Sequence, residues 1–427
     1  MGGTAGKALA ATLLLATMAV PPVAFAQEKP TRPSQGQAKP AAKPARKPQV
    51  DAPAAASQSF PAYLQSLWPL AQARGIPRAT FDSAINGLTP DPSIIALTRK
   101  QAEFVKPIWG YLSGAVNGTR ITRGQAAASE WASALATAQS THGVPREIIL
   151  GIWGMETNFG SFKGNMDVIR SLATLAHLKY RDGFFQGELL VALEILAKGL
   201  AERSEMRGSW AGAMGHTQFM PTSYMQYAID QSGDGHADIW DNVPDALGST
   251  GNYLKGHGWQ AGLPWGMEVE VPEGLDFTTV KRSFAAWSGA GLKRSDGAAL
   301  PSSGEATLYL PAGITGPAFL VTANYDVIKK YNNSDAYALA VAHLGDRIMG
   351  RSPIQGDWPT DEPQLSKGQR EEVQRRLKAL GHYNDKIDGR LGSGTREAVR
   401  RFQIANRMVA DGYANLALLA RLKAARP

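Results

Sequence analysis

Glu156 is a carboxylic acid where the sequence pattern asks for an apolar residue. It lies in Val144-Pro145-Arg146-Glu147-Ile148-Ile149-Leu150-Gly151-Ile152-Trp153-Gly154-Met155-Glu156-Thr157-Asn158-Phe159-Gly160, with Ile149, Ile152, Trp153 and Glu156 at i, i+3, i+4 and i+7. On a helix those positions share one face. The carboxyl therefore points with residues that should be buried, and desolvation against Trp and Ile side chains raises its pKa and suits it to general-acid work. The same spacing also suits a carboxylate that closes the helix and pairs with a cation, Arg170 being one candidate. Periodicity alone does not choose between them.

Two more stretches carry chemistry. Gly208-Ser209-Trp210-Ala211-Gly212-Ala213-Met214-Gly215-His216-Thr217-Gln218-Phe219-Met220-Pro221 places glycines among Ser, Trp, His, Gln and Phe. Backbone can approach a ligand closely in such a loop, and aromatic faces beside hydrogen-bonding groups suit a sugar. A tight connection between helices with no ligand is the alternative. Asp230-Gln231-Ser232-Gly233-Asp234-Gly235-His236-Ala237-Asp238-Ile239-Trp240-Asp241 follows the spacing of a calcium loop. Asp230, Ser232 and Asp234 stand at positions 1, 3 and 5, the His236 carbonyl at 7, Asp238 at 9 and Asp241 at 12. Ser232 replaces the usual Asp or Asn, and Asp241 is shorter than the usual Glu. Both changes weaken the expected affinity, so the spacing describes a weak or structural site for Ca2+ or Na+, or a polar turn without metal.

The elements that must position these groups are mostly helices. Pro145 suits the first turn of a helix over roughly 145–157, and Asn158 and Gly160 stop it. Ordered sequence starts near Phe60, and helices are expected over about 78–86, 99–116, 123–142, 166–180, 184–200 and 243–257. Between Met267 and Asn324 the texture changes to short strands, Glu268-Val269-Glu270-Val271, Thr307-Leu308-Tyr309-Leu310 and Phe319-Leu320-Val321, which make a small inserted β subdomain. Helix returns through Lys329-Lys330-Tyr331-Asn332 and the apolar run from Tyr337 to Met349. Residues 351–363, with three prolines, read as a linker. The last block, 364–427, has its own core pattern in Val373, Leu377 and Leu380, then Ala398, Val399 and Phe402, then Leu416, Leu418 and Leu419. The fold class expected is mainly α (α+β).

Composition supplies an address. Lys7, the apolar run Ala8–Val20 and Ala24-Phe25-Ala26 have the three parts of a signal peptide over 1–26, with the cut before Gln27. Residues 27–58 are Pro, Ala, Lys and Gln with few large apolar groups, as in a disordered tether. The apolar run Ala8–Val20 is too short to span a membrane, and no other stretch approaches ~20 apolar residues. The absence of cysteine excludes disulfides and a lipid-modified N-terminal Cys. A soluble, monomeric periplasmic protein is expected, neither a lipoprotein nor an integral membrane protein. Of the formal net charge of +8, residues 364–427 carry 14 basic against 6 acidic residues. That suits an anionic polymer, and export makes nucleic acid the poorer partner. No phosphate loop, His-Glu-x-x-His or Gly-x-Ser-x-Gly occurs, which leaves nucleotide enzymes, zinc peptidases and serine hydrolases without support.

Together these pieces resemble the lytic murein transglycosylase B family over about 58–350. The resemblance rests on Ile152 to Gly160, Phe184-Phe185, Ser209 to Gly215, Gln218 to Pro221, the Asp-rich loop and Lys330-Tyr331-Asn332. Residues 364–424 resemble the small three-helix peptidoglycan-binding domain through Val373-Gln374, Leu380-Gly381, Ile387-Asp388-Gly389, Thr395, Phe402-Gln403 and Asp411-Gly412. The first resemblance implies a lysozyme-like catalytic domain over 59–350. It also implies cleavage of the β-1,4 bond between N-acetylmuramic acid and N-acetylglucosamine, leaving 1,6-anhydromuramic ends. Glu156 matches that family's single acid/base, and Ser209, Gln218, Tyr253, Tyr331, Asn332, Tyr337 and Tyr111 match its glycan contacts. Asp230, Ser232, Asp234, His236 and Asp241 match its metal loop; no cofactor is implied for the chemistry itself. His216 departs from the Gln or other polar residue expected there, and its role is open. A hydrolytic muramidase and a non-catalytic wall-binding protein are the competing classes.

Overall fold

The computed structural model describes residues 58–99 and 106–426. The expected signal peptide, nearly all of the tether and residues 100–105 of the helix expected over 99–116 lie outside that range. The described chain opens with α1 (Phe60–Ser66), α2 (Trp68–Ala73), α3 (Arg78–Ile85), α4 (Pro92–Arg99) and α5 (Ile108–Ala115), the last with Pro107 at its N-cap. Next come α6 (Gly118–Glu130) and α7 (Ala132–His142), so the single helix expected over 123–142 is two, parted at Trp131. The helix expected over 145–157 is α8 (Arg146–Thr157). It is followed by β1 (Met166–Asp167), α9 (Val168–His177), α10 (Phe184–Ala197), β2 (Arg207–Gly208), α11 (Pro221–Tyr227) and α12 (Val243–Gly256). The first two residues of the expected 166–180 helix are strand, because they pair with Arg207 and Gly208.

The inserted β subdomain holds β3 (Gly266–Glu270), β4 (Lys281–Ser283), α13 (Phe284–Gly289), β5 (Lys293–Arg294), β6 (Glu305–Tyr309) and β7 (Ala318–Val321). Its antiparallel sheet runs β4-β6-β7-β3-β5. β4, β5 and α13 were not legible as separate elements in the sequence. β7 is buried on both faces: Ala318 and Leu320 join Trp287 and Phe284 in the local core, whereas Phe319 and Val321 join the helical core. That double burial explains why β7 reads as an unbroken apolar run instead of alternating.

The chain then forms α14 (Ala323–Tyr331) and α15 (Asp335–Ile348). α15 crosses α8 at very close range, because glycine stands at both touching points. A Cβ at Gly151 would lie 2.2 Å from the Val341 carbonyl oxygen, and one at Gly345 would lie 2.2 Å from that of Glu147. Gly151→Ala is therefore expected to destabilise the protein by about 1 to 3 kcal/mol in urea unfolding, although helix propensity favours Ala by about 1 kcal/mol. Unchanged or higher stability would show that the crossing can open freely.

The C-terminal block contains α16 (Lys367–Ala379), α17 (Ser393–Ala405) and α18 (Leu416–Ala424). Its core holds Val373, Leu377, Ala398, Val399, Phe402, Leu418 and Leu419, but Leu416 is exposed. One device is used twice. The Gln374 side chain accepts from the N–H of Asp388 and Gly389 and donates to the Asp388 carboxylate, while Gln403 accepts from Gly412 N–H and donates to Asp411. A buried glutamine thus pins each Asp-Gly turn. The connection at 351–363 is anchored to the catalytic region: Gln355 and Gly356 N–H groups donate to the Glu268 carboxylate, and the Trp358 ring lies 6.1 Å from that of Trp109. The C-terminal block itself docks on the β subdomain, where Ala410 enters the subdomain core and Arg400 donates to the Phe277 carbonyl at 2.8 Å.

Candidate active site

Glu156 occupies the last turn of α8 and is 7% exposed. Beyond it the backbone turns left-handed three times in succession, at Asn158 (φ 50°), Phe159 (φ 58°) and Gly160 (φ 79°). A phenylalanine in that region is strained. It is held there because its ring fills the space beside Gly154 and Gly124, where no Cβ would fit. The turn ends the helix abruptly and leaves the Glu156 carboxyl at the edge of a packed core.

Burial raises the Glu156 carboxyl to about 7, and a hydrogen bond from the Tyr337 hydroxyl to Oε1, 2.5 Å long, opposes the rise. Among the described residues no cation and no second carboxylate contributes to that shift. Arg170, the sequence candidate for a partner, instead binds the Thr89 and Pro90 carbonyls and Asp91. The hydroxyls of Tyr111, Tyr253, Tyr331 and Tyr337 are all held above the usual tyrosine range, first by burial and then by nearby groups that include Glu156. Four of the residues singled out from the family pattern thus converge on the acid. Tyr253 and Tyr331 lie with ring centroids 4.7 Å apart and reach Phe219 on the other side. Their hydroxyls donate to the Lys330 and Thr217 carbonyls, which locks the aromatic wall.

Gln218 takes a left-handed backbone (φ 52°), and its Nε2 donates to the Lys163 and Gly215 carbonyls. Those two donations fix the amide orientation and leave Oε1 buried with no partner among the described residues; Asn332 Oδ1 is in the same state. Two unpaired amide acceptors in a buried setting are costly unless a ligand donates to them. The Ser209 hydroxyl oxygen accepts from Ala213 N–H of its own loop at 3.1 Å.

His216, for which the residue pattern assigns no role, lies with its ring against Trp153 of α8. The Trp153 indole N–H can only donate, so the His216 Nδ1 it meets at 3.0 Å is the acceptor and the ring proton sits on Nε2. Burial, followed by the nearby Lys163 ammonium, pushes this imidazole down to about 4, so it is neutral near pH 7. Its backbone N–H donates to the Ile239 carbonyl, tying α8, the glycine-rich loop and the acidic loop together.

In the acidic loop the carboxylates of Asp230, Asp234 and Asp245 lie within 4.8 Å of one another. Asp245, which sequence spacing missed, is fully buried and accepts from the N–H groups of Gln231, Ser232 and Asp238. Asp241 is not brought to the cluster: its side chain is 82% exposed and pairs with Lys163 at 2.9 Å. Counting to position 12 stopped short because the chain continues to α12 before it turns a carboxylate inward. Ser232 Oγ lies 3.1 Å from Asp230 Oδ1, and His236 sits in the same turn, its N–H donating to Asp234. Three acids crowded together with no ion pair among the described residues suit a hard divalent cation.

A helical domain that sets one buried acid under a wall of tyrosines, next to a small helical module, belongs to the lysozyme-like class. The chain belongs to the family described as Transglycosylase SLT domain, which matches residues 59–346, and residues 366–422 match a peptidoglycan binding domain. SltB3 from Pseudomonas aeruginosa, solved in complex with NAG-anhNAM-pentapeptide, is 46% identical with a TM-score of 0.80, covering 86% of this chain and all of that one. The Escherichia coli lytic transglycosylase Slt35, solved in complex with calcium, is 31% identical with a TM-score of 0.57, covering 68% of this chain and 92% of that one. Membrane-bound lytic murein transglycosylase B of Escherichia coli K12 is 38% identical over 227 residues, which make up 52% of this chain and 61% of that protein. That match spans less than two thirds of the relative's length.

Proposed function

We propose that the protein is a peptidoglycan lytic transglycosylase that cuts the β-1,4 bond between N-acetylmuramic acid and N-acetylglucosamine without water. The observation that carries this is Glu156: one buried acid near pKa 7, with no second carboxylate acting on it among the described residues. Two-carboxylate glycosidases need a partner about 5 to 9.5 Å away. Here the substrate's own C6 hydroxyl takes the place of water. Protonated Glu156 gives its proton to the glycosidic oxygen as the C1–O bond breaks, and the 2-acetamido group stabilises the sugar cation. The Glu156 carboxylate then takes the proton of the C6 hydroxyl as that oxygen closes on C1, which restores the acid. Tyr331, Tyr253 and Tyr111 form the aromatic wall of the sugar site, and the free amide oxygens of Gln218 and Asn332 accept from sugar N–H or O–H groups.

The relative solved with NAG-anhNAM-pentapeptide supports an anhydro product. Mass spectrometry of digested sacculi tests it: product ends should be lighter by one water than reducing ends. Reducing ends would make the protein a hydrolase, and no new ends a binding protein.

Asp230, Asp234 and Asp245, with Ser232 and the His236 carbonyl, would hold a structural Ca2+, which would supply charge balance in the loop and no step of the reaction. Calcium at about 100 times its Kd should raise the Tm by roughly 5 °C. Asp245→Ala should lose most of that rise and Asp241→Ala little of it. Equal rises in all three proteins would remove the site. An exported, periplasmic enzyme agrees with a wall substrate, and no helix among the described residues is long and apolar enough to cross a membrane.

A further inference from the structure

The short corner between α14 and α15 carries Tyr331, Asn332 and, two residues into α15's first turn, Tyr337. Asp335, the first residue of α15, is its anchor. The Asp335 carboxylate pairs with Lys329 of α14 at 2.9 Å, and its carbonyl accepts from the Tyr325 hydroxyl at 2.7 Å. The remaining tie comes from the other module: Arg396 of α17 pairs with the second carboxylate oxygen of Asp335. The same guanidinium lies 5.1 Å from the centre of the Tyr309 ring of β6. Three parts of the chain therefore meet at one side chain, and the pair is largely buried, with side chains 23% and 11% exposed. Burial works against the charge on Asp335, and Arg396 and Lys329 outweigh it, holding the carboxyl below its usual range.

We propose that Arg396 is a positioning residue for the reaction: through it the C-terminal module sets the corner from which Tyr337 reaches Glu156. A tether alone would need no such contact. A basic group meant for the polymer would stay in solvent, whereas Arg396 is spent on an internal acid. Small displacements at a proton-transfer site are costly, a shift of about 1 Å being worth as much as 100-fold in rate. The Tyr337–Glu156 contact of 2.5 Å has little slack. This inference rests on Glu156 being the acid of the proposed reaction. Arg400, one helical turn further along α17, supplies an internal control, because it holds the same interface through the Phe277 and Thr278 carbonyls, and among the described residues its hydrogen bonds and its ion pair with Glu397 reach no residue of α15.

The experiment compares full-length Arg396→Ala, Arg396→Lys, Arg400→Ala and Glu156→Gln on soluble, uncrosslinked peptidoglycan strands, with sedimentation on whole sacculi as a separate measure of polymer binding. Arg396→Ala should lower kcat by about tenfold with KM changed by less than about twofold, while sedimentation persists. Its activity should also extend to higher pH, because a loosened Tyr337 no longer opposes the rise in the Glu156 pKa. Arg396→Lys, which keeps the charge but not the fork, should recover part of kcat, and it carries the same readouts if Arg396→Ala does not fold. Arg400→Ala should keep kcat near wild type. Wild-type kcat and pH profile in Arg396→Ala, or an equal loss in Arg400→Ala, would overturn the inference while an inactive Glu156→Gln left the proposed function standing. An active Glu156→Gln would overturn the proposed function instead.

Discussion

Glu156→Gln is expected to reduce strand cleavage by about 10³-fold or more, in line with loss of a sole general acid and base. The amide keeps the shape and still accepts from the Tyr337 hydroxyl, but it has no proton acidic enough for the leaving oxygen. Wild-type activity should fall as pH rises through about 7, because the first step needs the protonated acid. Stability supplies a second readout. The folded pKa of Glu156 lies above its unfolded value, so its contribution is fully present below about 4.5 and is lost as pH rises through about 7. Gln escapes that loss, so the unfolding free energy of the variant relative to wild type should climb between pH 4.5 and 8 by at most roughly 3 kcal/mol. A variant that cleaves strands at the wild-type rate would place the acid elsewhere.

Tyr337→Phe should lower kcat by about 10- to 100-fold, the cost of one hydrogen bond to a charged group, roughly 1.5 to 3 kcal/mol. The Tyr337 ring is 2% exposed and packs in the helical core, so Phe fills the same volume and the fold should survive. The missing hydroxyl removes the influence that restrains the Glu156 pKa, and the high-pH limb should move upward. Because Arg396 acts through the same contact, the losses in Arg396→Ala and Tyr337→Phe should combine to less than their product. A Tyr337→Phe enzyme with wild-type kcat would mean that the hydroxyl serves packing alone.

Local pattern sufficed where physics is local. The α8 helix, its buried acid and its stop at Asn158 follow from 3.6-residue spacing, a proline start and left-handed end residues, all within one short stretch. The order of helical region, inserted strands and basic C-terminal helices follows from changes in texture along the chain. The strands β4 and β5 escaped because they are two or three residues long and exist only through pairing. The choice between an acid and a helix-closing partner of Arg170 also stayed open, since spacing does not say where a long cationic side chain goes.

The sequence by itself determined which residues could be helical, which face each helix buries and where an acid would be desolvated, because these depend on neighbours a few positions apart. Tertiary structure alone decided what meets that acid. Tyr337 is 181 positions from Glu156, and the family pattern named it where spacing could not. It arrives because Gly151 and Gly345 let α15 lie against α8. Asp245, and not Asp241, joins the acidic cluster because the first turn of α12 presents it to the N–H groups of the loop, and His216 accepts from Trp153 because the glycine-rich loop packs against α8. The reach of Arg396 from a separate module to Asp335 has no trace in any local pattern. Contacts of this kind form only when the buried surfaces of distant elements match, and residue spacing carries no record of that match.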